Sequence, residues 1–402
     1  MVAGIVEKIR SEVDEIMPGV VADRRWLHEH PELAFEEVET AKFVAERLRQ
    51  LGVDDIQTGV GGSTGVTGLI HGTKASGGAA KVVALRADMD ALPILEENAV
   101  EYVSQNPGTM HACGHDAHTA MLMAVARVLM DRRDEFSGTV KLLFQPAEEL
   151  PPGGAIGMVQ AGVLDGVDAV FGAHVSSQLE AGKIGLRPAG PGCAAADRFR
   201  ITIQGKGGHA ARPQAAVDPV VIGSQIVLAL QTLVSRETDP MDAAVVSTTA
   251  FLAGEAFNVI PDTAELRGTV RTLTEDVRQN IAKRLPEIAT GIGEAARAEV
   301  TVDWMAGYPS IQNDAGMVAL ARAAAEEVVG TENVVESPLG MGGEDFAYFS
   351  LERPACFYNV GTRNEERGIV WGHHHPRFDI EEEGMSAGIA TMANIAIRYL
   401  AS

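Results

Sequence analysis

Short, almost wholly apolar runs set far apart along the chain constrain its fold more than any other feature. They are Val66–His71, Val82–Ala87, Val140–Phe144, Ala169–Gly172 and Phe357–Val360. A strand without polar alternation is one buried on both faces, as in parallel sheets covered by helices. Helical apolar spacing marks Ile5–Met17 and Glu36–Leu51, the latter stopped by Gly52, and returns in His118–Arg132 and Ile156–Ala161. Strands alternating with helices predict an α/β fold built on a mainly parallel sheet. Such sheets bind ligands at the carboxyl ends of their strands. Acidic and histidine residues fall there: Asp88 and Asp90 after the second run, Glu148 and Glu149 after Phe144, and His174 after Phe171.

A different rhythm runs from about Pro188 to Trp304. Phe199–Ile203 alternates as a strand, Pro219–Val234 is helical, and Ala244–Phe251 and Thr263–Arg271 read as strands. Val277–Arg297 is helical and Val300–Trp304 is a last strand. This β-α-β-β-α-β order is the ferredoxin-like arrangement. With 402 residues, the chain exceeds the roughly 250–300 at which a single core stops growing. We therefore expect a first domain of residues 1–187 plus 305–402 and an inserted second domain of residues 188–304, entered through the Gly/Pro-rich stretch Pro188–Gly192.

The formal net charge of −22 has the wrong sign for attracting a phosphate backbone or an anionic membrane, so neither nucleic acid nor membrane is an expected partner. Three widely spaced cysteines, Cys113, Cys193 and Cys356, do not form a disulfide framework and suit a reducing, cytoplasmic compartment. The first ten residues are charged every few positions and lack the apolar centre of a signal peptide. Thr119–Met130, read as the longest apolar stretch, is far short of the ~20 residues that span a bilayer. Gly59–Gly65 lacks the Gly-x-Gly-x-x-Gly spacing of a nucleotide loop.

The densest chemical signal is His111-Ala112-Cys113-Gly114-His115-Asp116-Ala117-His118. A lone histidine is more often a core residue and a lone buried cysteine usually only packs. Together, thiolate and imidazole are the donors preferred by zinc and similar divalent metals. Gln145-Pro146-Ala147-Glu148-Glu149 then brings two adjacent carboxylates to a strand end, where one can ligate while its neighbour handles a proton. Gly372-His373-His374-His375-Pro376-Arg377-Phe378 adds three histidines that cannot all serve one site. His174, taken alone, reads as a core residue.

These stretches, with Arg86-Ala87-Asp88-Met89-Asp90-Ala91-Leu92-Pro93, Gly207-Gly208-His209-Ala210, Asn258-Val259-Ile260-Pro261-Asp262 and Gly342-Gly343-Glu344-Asp345-Phe346, resemble the aminoacylase/carboxypeptidase G family. Within it the chain is similar to the branch of hippurate hydrolases, N-acyl amino acid amidohydrolases and indoleacetyl-amino acid hydrolases. The resemblance is co-linear over essentially the whole chain. It implies a phosphorylase/hydrolase-like metallopeptidase domain with an inserted ferredoxin-like lid that dimerises. It further implies two divalent metal ions held by Cys113, His115, Glu149, His174 and His374; the sulfur donor favours zinc, while the other ligands also accept manganese, cobalt or nickel. His374 is selected by a His-x-Pro-x-Phe pattern completed by Pro376 and Phe378.

By the same resemblance Glu148 is the general base, Asp90 orients a ligand, and His209 reaches the active site of a partner subunit in a homodimer or homotetramer. Asn258 and Arg271 contact the substrate. The implied reaction is hydrolysis of an N-acyl amino acid, with a dipeptidase or carboxypeptidase on the same metal centre as the alternative. A non-catalytic binding protein on this scaffold is disfavoured by the presence of Glu148. Two departures stand out: Ser176-Ser177 where relatives place Trp-Pro, and Leu150-Pro151-Pro152 after Glu149.

Overall fold

The computed structural model describes residues 2–75 and 80–401. It divides into two compact units, one of Met1–Gly192, Ile311–Leu339 and Asp345–Ser402, the other of Cys193–Ser310 and Gly340–Glu344. The main segment of the second unit starts later than 188, at Cys193, and ends later than 304, at Ser310, where its last strand, Glu299–Tyr308, runs beyond Trp304. Gly190–Pro191 pairs antiparallel with Gln312–Asn313, so the chain passages leaving and re-entering the first unit are hydrogen-bonded to each other.

The first unit holds one eight-stranded sheet. Its strands are β1 (Asp54–Val60), β2 (Gly65–His71), β3 (Val82–Asp88), β4 (Thr139–Gln145), β5 (Ala169–Glu180), β6 (Ile184–Leu186), β7 (Val334–Glu336) and β8 (Ala355–Arg363). The spatial order is β1-β2-β4-β3-β5-β8-β6-β7. The central strands β4, β3, β5 and β8 are mutually parallel, while β1, β2 and the β8–β6 pair introduce antiparallel neighbours. All five apolar runs of the sequence are strands of this sheet.

Helices α1 (Val2–Glu29), α2 (Val38–Leu51) and α3 (His115–Met130) cover the sheet together with Ala315–Val329 and Met385–Ala401. The first of these is longer than the sequence predicts. It passes through Pro18 because its buried stripe of Val6, Ile9, Val13 and Ile16 continues to Val20 and Leu27. Packing of that stripe outweighs the local cost of proline and glycine. Each such side chain contributes roughly 1.5–3 kcal/mol on full burial. Gly52 ends α2 with φ 74°, a left-handed cap.

One strand also runs past its predicted end. The apolar signal of β5 fades after Gly172, yet β8 continues to pair with it through Asn359↔His174 and Gly361↔Ser176. His174 therefore sits within a strand, not after one. Beyond Gly172 burial alternates, which hides the strand from a search for continuous apolarity.

In the second unit the strands Ala244–Leu252, Thr263–Thr272, Ala195–Gln204 and Glu299–Tyr308 lie in that order, all antiparallel. Helices Pro219–Arg236 and Glu275–Ala295 pack on the sheet through Ile222, Ile226, Leu230, Ile281 and Leu285 against Phe199, Ile201, Leu266 and Val270. Among the described residues Pro219–Arg236, not Thr119–Met130, is the helix long and apolar enough by composition to cross a membrane. Its apolarity is two-sided: Ile222, Ile226 and Leu230 face the core, while Val220, Val221 and Leu228 are exposed.

Candidate metal centre and active site

The junction of Gly114 with α3 fixes the first group of donors. Gly114 has φ 90°, and a Cβ there would lie 2.3 Å from Val175 Cγ2, so only glycine lets the loop turn into the helix this close to β5. The turn presents Cys113 and His115 on one side and, three residues on, His118. Cys113 Sγ is 3.5 Å from His174 Nε2.

Hydrogen bonds decide which ring nitrogens remain free. His118 Nε2 accepts the Val175 N–H at 2.8 Å, so its proton is on Nδ1, 2.5 Å from Asp88 Oδ1. Both nitrogens are used. His115 instead donates Nδ1–H to the Asp90 carbonyl at 2.9 Å, and its buried Nε2 has no hydrogen-bond partner among the described residues. In His174 the Nδ1–H meets the Val175 carbonyl at 2.6 Å, leaving Nε2 with a lone pair. His115 and His174 are thus set up as donors to a cation and His118 is not.

The second group comes from the β4 terminus. Asp90 accepts the Glu148 N–H through Oδ1 at 2.9 Å and the Glu149 N–H through Oδ2 at 3.0 Å, with Oδ1 also 3.2 Å from His115 Nδ1. One carboxylate therefore holds the Glu148-Glu149 turn and the His115 ring together. Glu37, fully buried, completes the grip by accepting the Ala147 N–H at 2.8 Å and the Thr64 hydroxyl at 2.5 Å. Ala147 has φ 53°, a left-handed conformation that these bonds maintain. Burial, with Asp90 adding to it, pushes the Glu37 carboxyl up to about 7.

His374 also has a left-handed backbone, φ 65°, held by its N–H to the Ala112 carbonyl at 2.8 Å. Its Nε2 lies 3.1 Å from Glu149 Oε1. The neighbouring histidines have other occupations. His373 packs edge-on to His174 with ring centres 5.0 Å apart, and His375 stacks on Trp371 at 4.3 Å. Ser177 N approaches His373 Nε2 at 3.5 Å, so the Ser-Ser departure lies in the strand beside this histidine.

Donor atoms of Cys113, His115 and His174 fall within 4.8 Å of one another, as do those of Cys113, Glu149 and His374 and those of His115, Glu148 and Glu149. The structure thus brings together six of the sequence-predicted site residues, with Asp90 behind them. Burial and then the carboxylates of Glu149 and Glu148 raise the Cys113 thiol well above its ordinary range. Burial opposes charge on His115, but Asp88, Asp90 and Glu149 outweigh it and lift the imidazole to about 10. Protons on sulfur and nitrogen here offset uncompensated carboxylates. Cations would displace them, which is the expected chemistry of a metal site. With an orphaned buried imidazole nitrogen, a thiol, a carboxylate and two further imidazoles, the donor set fits divalent metal ions.

Several supporting residues were not singled out from the sequence as site residues. Arg86, buried, donates to Gln145 at 2.7 Å, Asp88 at 2.6 Å and Asp345 at 3.0 Å. Asp116, at the first turn of α3, is held by Arg24 Nε at 2.8 Å and by His28 Nδ1 at 2.8 Å. An acidic residue just ahead of the helix expected from His118 was the available signal for Asp116. Nothing local pointed to the site roles of Arg24 and Glu37, whose partners there, Asp116 and Ala147, lie far away in sequence.

The remaining predicted residues belong to the second unit. Val259 pairs with His209, and the Ala210 N–H donates to the Asn258 carbonyl at 3.0 Å, so exposed His209 and Asn258 are neighbours there. Arg271 lies on the Thr263–Thr272 strand.

Residues 84–398 match the model of peptidase family M20/M25/M40. The chain belongs to this family. It is 49% identical over 311 residues to the N-acyl-L-amino acid amidohydrolase of Geobacillus stearothermophilus, covering 77% of this chain and 82% of that one. Thermostable carboxypeptidase 2 of Saccharolobus solfataricus is 40% identical, with 98% and 99% covered. Among solved structures, the Bacillus subtilis YXEP protein, described as a dinuclear metal binding peptidase from the M20 family, superposes with a TM-score of 0.83 at 38% identity, covering 96% of this chain and 99% of that one. On this kinship the chain is a metallo-amidohydrolase that uses two metal ions.

Proposed function

We propose that this family member hydrolyses the amide bond of N-acyl amino acids, releasing a free amino acid and a carboxylic acid. The observation that carries the reading is the convergence of Cys113, His115, Glu149, His174 and His374 around a buried Glu148. Those five residues would hold two divalent ions. Sulfur and imidazole donors favour zinc, with manganese, cobalt or nickel also compatible. When bound, the metals supply Lewis acidity and bring the pKa of water from about 15.7 towards 7.

The protein's own groups do the rest. Glu148 takes the proton from the attacking water and returns it to the departing nitrogen, a task worth roughly 10²–10⁴-fold. Asp90 fixes the Glu148-Glu149 turn through two N–H bonds, so the base and the ligand beside it keep their relative positions. His209, from the lid of a partner subunit, donates to the oxyanion. Asn258 and Arg271 bind the substrate. A homodimer or homotetramer is supported by exposed Val220, Val221 and Leu228 on helix Pro219–Arg236 and by Phe251 and Leu252 on the sheet's edge strand. Three buried free cysteines support a reducing, cytoplasmic setting, and a net charge of −22 supports small-molecule substrates over nucleic acid or membrane.

The alternative, a carboxypeptidase or dipeptidase on the same centre, is favoured by the Saccharolobus relative. Side-by-side assays of N-acetyl amino acids, N-benzoyl amino acids and unblocked dipeptides separate the two. Turnover of the acylated compounds is expected, and turnover of dipeptides alone would overturn the proposal.

A further inference from the structure

In a chain carrying 33 basic against 55 acidic residues, four arginines gather on one patch of the second unit. Arg198, Arg200, Arg267 and Arg271 line a concavity of about 450 Å³ with Thr249, Thr269 and Met305. They stand on the sheet face opposite the helices, since the alternate residues Phe199, Ile201, Leu266 and Val270 are the ones buried in the core.

The register makes this an unfavourable arrangement by itself. Arg200 and Arg267 are directly opposed across neighbouring strands, and Arg198 is opposite Thr269, diagonal to both Arg267 and Arg271. Like charges directly opposed in a sheet destabilise it. Glu265 offsets part of this, lying 2.5 Å from Arg267 Nε and 3.8 Å from Arg200 Nε. Asp303 faces Arg200 in the register without an ion pair among the described residues. Arg198 and Arg271 have no carboxylate within ion-pair distance among the described residues, and Arg271 spends its guanidinium on the neutral Thr269 hydroxyl and Val270 carbonyl. The acid nearest in sequence, Asp197, is committed on the other face to Arg278 at 2.7 Å.

We infer that this arginine-lined concavity is a binding site for a small molecule bearing at least two negative oxyanion charges. Guanidinium forks match carboxylate and phosphoryl oxygens in pairs, and the volume is that of a small-molecule site. Arg271 is shared with the substrate contacts proposed above, but Arg198, Arg200 and Arg267 serve nothing in that reading. The inference stands apart from it because binding is measured without turnover.

Isothermal titration calorimetry of the full-length, metal-loaded protein with pyrophosphate and with citrate at low ionic strength tests it. One anion per chain is expected, weakening as salt rises. Arg198→Ala and Arg200→Ala should each weaken binding roughly tenfold, the loss of about one charge-assisted contact. The exposed Arg236→Ala should change nothing. Tighter binding of pyrophosphate identifies a phosphorylated ligand and tighter binding of citrate a polycarboxylate. Absence of binding by both anions, or equal binding by the parent, Arg198→Ala and Arg200→Ala proteins, would overturn the inference.

Discussion

The two units handle charge in opposite ways. In the first, buried acids are matched to specific donors: Asp90 to two backbone N–H groups and a histidine, Asp88 to Arg86 and His118, Asp116 to Arg24 and His28, Glu37 to Ala147 and Thr64. In the second, His209, Asn258 and three of the four clustered arginines are exposed, and apolar Phe257 stands fully in solvent. A site whose side chains are fixed before any ligand arrives suits reaction chemistry, because pre-organised groups cost no rearrangement at the moment of reaction. Exposed, weakly tied groups suit contacts completed by something else.

The sharpest way to break that contrast is to remove the one group proposed to move a proton. Glu148→Gln keeps the size of the side chain and should lower kcat by about 10²–10⁴-fold while leaving metal content unchanged. Steady-state kinetics with metal analysis on the same sample checks both halves.

Glu37 tests whether pre-pairing in the first unit costs stability. Its folded-state pKa is raised to about 7, so the folded protein binds the proton more tightly than the unfolded chain does. Stability from this group is present at low pH and is lost as pH rises from the ordinary carboxylate range towards 7. The difference in unfolding free energy between the parent and Glu37→Gln should therefore shift by up to about 3 kcal/mol across that window, in favour of the variant at the higher pH. Denaturant melts at several pH values would show it, and a flat difference would contradict the assignment.

Asp90→Ala removes the clamp while retaining every proposed ligand. A loss of about 10–100-fold in metal affinity or activity is expected. The smallest effect belongs to the second unit: Phe257→Ser should alter thermal stability by no more than about 0.5 kcal/mol, since that side chain is fully exposed.

Much of the first unit was legible because its strands are continuous apolar runs ending in chemistry-bearing residues. The β-α-β-β-α-β order of the second unit was legible from its strand-like runs and the helical apolar spacing of Pro219–Val234 and Val277–Arg297. His174 was misplaced at a strand end because β5 continues as a half-buried strand, where the apolar signal vanishes although the pairing does not. Arg24, Arg86 and Glu37 were missed for a different reason. Their roles exist only once residues such as Asp116, Asp345 and Ala147, separated from them by 92, 259 and 110 positions, are folded against them. The ring-nitrogen assignments that separate His115 and His174 from His118 likewise depend on backbone groups of strands that no local pattern positions.

The central proposal is that five side chains hold two divalent ions beside Glu148, the group that moves the proton. Elemental mass spectrometry of the purified full-length protein tests it most directly. The account predicts two divalent ions per chain in the parent and in Glu148→Gln, and a loss of bound metal in His174→Ala. Full occupancy in His174→Ala, or an active parent that retains full turnover with no bound metal, would contradict it.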